Sequence, residues 1–187
     1  MATLTPPLHF NRIHPGLYRG SYPRPINYTF LQSLALKTII AITPETITEE
    51  NDKELYDFCQ KNNISVQHID CQLSGKGKKR GVPLDYEKVT KILELIINAD
   101  KSPVYMYCIN GGQITSLVVA CLRKISFWSS ISIYNEFITY ATTINHNDRV
   151  FIENFQVKLN VPENKVSWLW TGLNKNVIEN HPSITII

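Results

Sequence analysis

Cys108 stands where a β-branched and aromatic run, Val104 to Tyr107, gives way to the segment Cys108-Ile-Asn-Gly-Gly-Gln-Ile-Thr115. From Ile114 onward, apolar residues recur at helical spacing: Ile114, Leu117, Val118, Cys121 and Leu122. Glycines between a strand and a helix let backbone N–H groups converge on one point, and the helix start adds partial positive charge there. Such a turn favours an anion and lowers the pKa of a cysteine placed in it. Gly111 and Gly112 lie inside the turn and Thr115 at the helix entry. The other reading of Cys108 is a small apolar residue at a strand end, and the pattern alone leaves both open.

Other chemistry-bearing residues are fewer. Lys76, Lys78, Lys79 and Arg80 fall in the glycine-bearing stretch Ser74 to Gly81. They read either as a basic clamp for an anionic ligand or, more often for a charge run, as a solvated loop. Asp70 ends the preceding strand and reads as a general acid or as a local hydrogen-bonder. Tyr107, beside Cys108, reads as a buried strand residue whose hydroxyl needs a partner. Cys59, Cys71, Cys108 and Cys121 form no C-x-x-C pair and the five histidines do not cluster with them, so no zinc site, metal or cofactor is expected.

These residues need elements to position them. Phe10 to Ile13 and Leu17 to Arg19 read as two short strands between prolines and glycines. Lys37 to Thr43 reads as a buried strand. Asn51, with Glu54 three residues on, offers the N-cap of a helix carrying Leu55, Phe58 and Cys59 on one side. Ile64 to Asp70 is the next strand. Asp85 caps a helix with Val89, Ile92, Leu93, Ile96 and Ile97 on one face. Helices follow at Ser130 to Thr142 and Asp148 to Phe155. Strands alternating with helices imply an α/β fold, a mostly parallel sheet flanked by helices. Ligands on such sheets sit at the carboxyl ends of the strands, at the turn after Tyr107. Residues 158–187 lack a clear period, contain Trp168 and Trp170, and read as an extension packed on a domain of residues 1–157. Trp168 and Trp170 serve either that docking or a partner surface.

The 187 residues are 43% hydrophobic and 19% charged, a globular composition that excludes a mainly disordered chain. A net charge of +3 is too small to argue for a nucleic-acid partner. No charged segment followed by an apolar run opens the chain, and no apolar stretch is long enough to span a bilayer. A cytoplasmic, reducing setting with free thiols is expected.

PPLHF (6–10), GLYRGSYPRPINYTFL (16–31), IIAITPE (39–45), VTKILELI (89–96), CLRKISFW (121–128), NEFITYA (135–141) and FIENFQV (151–157) resemble the plant and fungal atypical dual-specificity phosphatases. That family is a branch of the protein tyrosine phosphatase superfamily, and the similarity is strongest to its fungal oxidant-induced cell-cycle-arrest group. The resemblance implies the tyrosine phosphatase fold. It also implies a His-Cys-x5-Arg-Thr loop, in which the Cys attacks phosphorus and the Arg clamps the phosphoryl oxygens.

Matched to that motif, Cys108, Gly111 and Thr115 are kept, the His is Tyr107 and the Arg is Ile114. The positions that carry basic residues in the family are Ile109, Asn110, Gly112 and Gln113. Phosphoryl transfer depends on positioning and on charge stabilisation, and isoleucine supplies neither donor nor charge. One lost preorganised donor costs about 10²–10³ in rate. The expectation is therefore a pseudophosphatase acting as a regulatory or assembly subunit with related phosphatase-like proteins. Two alternatives are a weak phosphatase on phosphotyrosine-type or inositol pyrophosphate substrates, and a module that binds a phosphorylated ligand without turnover. Arg19, in the GLYRG match, is expected to anchor structure.

Overall fold

The computed structural model describes residues 4–72 and 81–187. The basic stretch Lys76, Lys78, Lys79 and Arg80 lies outside them. Two short strands, β1 (Asn11–His14) and β2 (Leu17–Ser21), form a hairpin. Then come α1 (Tyr28–Ser33), β3 (Thr38–Thr43), α2 (Lys53–Lys61), β4 (Ser65–Asp70), α3 (Tyr86–Ile97) and β5 (Val104–Cys108). Three helices follow: α4 (Gln113–Ile125), α5 (Ser130–Ala141) and α6 (His146–Asn154). The five strands stand in the order β1-β2-β5-β3-β4; β1 is antiparallel to β2 and the remaining pairs are parallel. This is the α/β architecture expected from the alternation of strands and helices.

All residues of β3 and β5 are buried, as a strand covered on both faces requires. Alternation along β5 splits the core. Met106 and Cys108 join Val89, Ile92, Leu117 and Val118 of α3 and α4 on one face. On the other, Tyr105 and Tyr107 join Leu31, Leu55 and Phe58 of α1 and α2. Because Ser21 is in register with Cys108, the end of β2 runs directly beside the turn.

Local chemistry shifts some boundaries. Asp52, not Asn51, caps α2: its side chain accepts from the Leu55 N–H, while Asn51 pins the preceding loop by accepting from Thr48 and donating to the Thr46 carbonyl. Two adjacent residues were both competent caps, and the loop geometry chose the second. Helix α6 begins earlier than the Asp148 start expected, because Asn145 caps it and Asp148 returns the bond to the Asn145 N–H, closing a capping box.

Beyond α6, β6 (Val157–Leu159) pairs in parallel with β7 (Ile184–Ile186), and α7 (Lys175–Glu179) lies between them in sequence. Such non-local pairing leaves no period to read. Val166 and Leu169 enter the main core and the Trp170 indole donates to the Ile125 carbonyl at 2.7 Å. Among the described residues no helix is long and apolar enough to cross a membrane, and no group of three or more His, Cys, Asp or Glu is placed to hold a metal.

One packed histidine makes folding pH-dependent. His14 stacks on Trp168 with ring centroids 4.1 Å apart, and its Nε2 accepts from the Arg123 guanidinium at 2.7 Å. Arg123 is in turn bound to Glu136 at 2.8 Å. Burial, then the Arg123 charge, lower the His14 pKa from 6.5 to about 4, against a smaller opposing effect of Glu136. Between these values the unfolded chain binds the proton and the folded chain resists it, so stability rises with pH across the window and is lost on acidification. His14 is partly exposed, so screening reduces the expected loss between pH 7 and pH 5 to about 1 kcal/mol. Urea denaturation at both pH values checks it: His14→Gln should lose less than the wild-type chain on acidification, and an equal loss in both would exclude His14 as the source.

Candidate functional site

The turn after β5 is built by contacts from β2, α4 and the segment before β1. Gly111 has φ +67, a left-handed conformation, and a Cβ there would lie 2.6 Å from the Gly20 carbonyl carbon, so only glycine fits against β2. The Gly111 carbonyl accepts from Arg19 Nη2 at 2.8 Å, and the same Nη2 donates to Ser116 Oγ at 2.8 Å. Arg19, only 1% exposed, thus ties the loop to the first turn of α4 from beneath. On the outer side, the Ile109 carbonyl accepts from the Tyr22 N–H, and His9 Nδ1 lies 2.8 Å from the Asn110 carbonyl.

Cys108 is 1% exposed and Thr115 is fully buried; the Thr115 hydroxyl donates to Cys108 Sγ at 3.0 Å. A hydroxyl aimed at sulfur is a contact a thiolate accepts. The rest of the loop offers an anion little. Asn110 folds its side chain back so that Oδ1 accepts from the Gly112 N–H at 2.9 Å, and Cys108 Sγ lies 3.7 Å from the same oxygen. An N–H at the helix start is therefore engaged by the loop's own amide, an Asx-type bond. Ile114 is 4% exposed and belongs to the apolar core. Gln113 donates to Asp148 Oδ1 at 2.6 Å, joining the start of α4 to α6. Ile109, in contrast, is half exposed.

The other thiols are placed differently. Cys59 and Cys71 are buried, and burial above all pushes their pKa values up to about 12 and about 11; burial also raises that of Cys121. All four cysteines are free. Asp70 lies on the edge strand β4, with β3 between it and β5. It is exposed, 3.7 Å from Lys88 Nζ, and accepts from Gln72. The fold does not bring it together with Cys108.

Two clefts flank Ile109. One, of about 710 Å3, is bordered by Pro6, Leu8, His9, Arg24, Ile26 and Asn110. The other, of about 410 Å3, holds Tyr22, Asp52 and Tyr107. Neither Asn110 as an internal acceptor nor the Tyr22–Asp52 pair emerges from the sequence reading above. An Asn directly before two glycines is a turn signal that points to the first. Residues 30 apart in sequence leave no local signal for the second.

Comparison with known proteins agrees with this architecture. The profile of the tyrosine phosphatase family matches residues 4–174. The chain is 44% identical over 180 residues to "Putative tyrosine-protein phosphatase OCA6" of Saccharomyces cerevisiae, covering 89% of this chain and 80% of that protein. It is 32% identical over 155 residues to "Inositol diphosphatase DSP2" of rice, Oryza sativa subsp. japonica, covering 82% and 72%. Among solved structures, the core catalytic domain of the PP-IP phosphatase SIW14 from S. cerevisiae superposes with a TM-score of 0.71 at 28% identity, over 82% of this chain and 89% of that one. By sequence match over most of its length and by fold, the chain belongs to the tyrosine phosphatase family.

Proposed function

We propose that the chain is a catalytically impaired phosphatase-like protein, a pseudophosphatase, acting as a regulatory or assembly subunit with related phosphatase-like proteins. The observation that carries it is the uncharged loop: Ile114 is packed in the core where the family motif has Arg, and the Gly112 N–H is held by Asn110. Phosphoryl transfer needs preorganised donors and positive charge around the transferring oxygens, and this turn supplies neither in full. Four free, buried thiols suit a reducing, cytoplasmic setting.

The test is hydrolysis of p-nitrophenyl phosphate and of an inositol pyrophosphate, compared with a Cys108→Ser variant. Turnover at least about 10²-fold below an intact family member, and unchanged in Cys108→Ser, is expected. Ordinary turnover that disappears in Cys108→Ser would overturn the proposal.

One observation favours a second reading, a weak active cysteine phosphatase. The Thr115 hydroxyl is still aimed at Cys108 Sγ, and relatives from rice and from S. cerevisiae are named inositol diphosphatases. Slow but Cys108-dependent turnover would select it. Salt-sensitive binding of phosphate or inositol phosphates without turnover would select a phospholigand-binding module.

A further inference from the structure

The cleft of about 410 Å3 beside the loop has a chemistry opposite to that of a phosphate site. Its lining includes Tyr22, Glu45, Asn51, Asp52, Tyr107 and Ile109, and among the described residues no lysine, arginine or histidine lines it. Asp52 is held in place from two sides: Oδ1 accepts from the Leu55 N–H at 3.3 Å and Oδ2 from the Tyr22 hydroxyl at 2.7 Å. Glu45 is exposed at the rim. The rings of Tyr22 and Tyr107 meet edge to face at 6.0 Å.

Tyr107 adds an independent sign of a ligand. The residue is 1% exposed, it lines the cleft, and among the described residues no hydrogen bond reaches its hydroxyl. The hydroxyl has no protein partner among the described residues and is not wholly shut off from solvent, so it is open to a ligand atom in the cleft. Burial, and then the neighbouring Tyr22 and Asp52, raise the Tyr107 pKa, so the phenol stays neutral and keeps lone pairs to offer.

The occupant must match two carboxylates, two aromatic rings and an exposed aliphatic side chain. An inositol phosphate or phosphopeptide would bring negative charge against Glu45 and Asp52. A planar guanidinium on an apolar stem bridges carboxylates, covers aromatic faces and tolerates desolvation better than an ammonium. We propose that this cleft receives the guanidinium of an arginine side chain presented by a protein partner. The inference deepens the subunit role and rests on that role only for the partner being a protein.

The test is an NMR titration of the 15N-labelled full chain with Nα-acetyl-arginine methylamide, its uncharged citrulline isostere and the lysine analogue. Saturating shifts are expected at the amides of Tyr22, Asp52 and Ile109, with the citrulline and lysine analogues each about tenfold weaker. The double variant Glu45→Gln/Asp52→Asn should weaken arginine-analogue binding by about tenfold or more. Asn still caps α2, so the fold is retained. Absence of shifts at the cleft, equal binding of citrulline or lysine, or full binding by the double variant would each overturn the proposal. The titration does not read turnover, so its failure is distinguishable from Cys108-dependent hydrolysis, which would remove the pseudophosphatase reading and leave the cation site untouched.

Discussion

Ile114→Arg combined with Tyr107→His is expected to raise p-nitrophenyl phosphate turnover by about 10²-fold over the wild-type chain. Ile114 occupies the first turn of α4, six residues after Cys108, and is 4% exposed within the apolar core. An arginine there cannot leave its charge among Leu117 and Val118. Its long stem can lie along the apolar wall while the guanidinium turns toward the loop mouth. The charge so placed would clamp phosphoryl oxygens bidentately, which no neutral donor of the present loop can do.

Tyr107 is buried on the opposite face of β5, beside Tyr105 and Tyr22. Histidine there brings back the residue that the motif places before Cys. It also leaves a gap, so some loss of stability accompanies the gain in rate. Steady-state kinetics of the double variant, with Cys108→Ser in the same background as the zero, measures the effect. No Cys108-dependent gain would mean that missing charge is not what impairs the loop, and the self-satisfied Asn110 would become the next position to change.

Arg19→Ala is expected to destabilise the chain by about 3–5 kcal/mol. Arg19 is 1% exposed, and Nη2 alone serves two acceptors, the Gly111 carbonyl and Ser116 Oγ, while Nε and Nη1 have no hydrogen-bond partner among the described residues. Its guanidinium carbon lies 3.9 Å from the centre of the Tyr140 ring, which carries part of the charge from α5. Burial is the main reason its pKa is lowered to about 10, with Tyr140 and Cys108 opposing the shift. That lowering says the fold tolerates the charge at a cost, and the two loop bonds and the ring contact offset it.

Alanine removes all three at once, opens a cavity and leaves a buried carbonyl and hydroxyl unpaired. Lysine keeps the charge but lacks the fork, and should lose about 1–2 kcal/mol. Urea denaturation of both variants measures these losses. Arg19→Ala within about 1 kcal/mol of wild type would show that the loop holds its shape without the guanidinium.

Much of the fold is local and therefore readable. The apolar stripe Val89, Ile92, Leu93, Ile96 and Ile97 is buried in α3, and Asp85 caps that helix by accepting from the Lys88 N–H at 2.7 Å. The cap of α2 lies one residue, and the start of α6 two residues, from the positions the sequence suggests, because neighbouring Asn and Asp side chains compete and only the loop entering the helix selects between them. Strands β6 and β7, separated by more than twenty residues and only three residues each, carry no period of their own.

The candidate site divides along the same line. The order strand, cysteine, glycines, helix is a run of neighbours, and so the sequence by itself determined the turn, its place at the carboxyl end of β5 and the isoleucine standing where the family motif has arginine. Tertiary structure alone decided that Arg19, 92 residues before Gly111, holds the loop from beneath. It alone paired Tyr22 with Asp52, 30 residues apart, to make an acidic cleft beside an uncharged loop, and it alone left Asp70 on the outer strand with Lys88. The physical reason is that residue types and spacings encode what one segment does with its own backbone. Charge, burial and hydrogen-bond partners are set by which segments the sheet and its helices bring together.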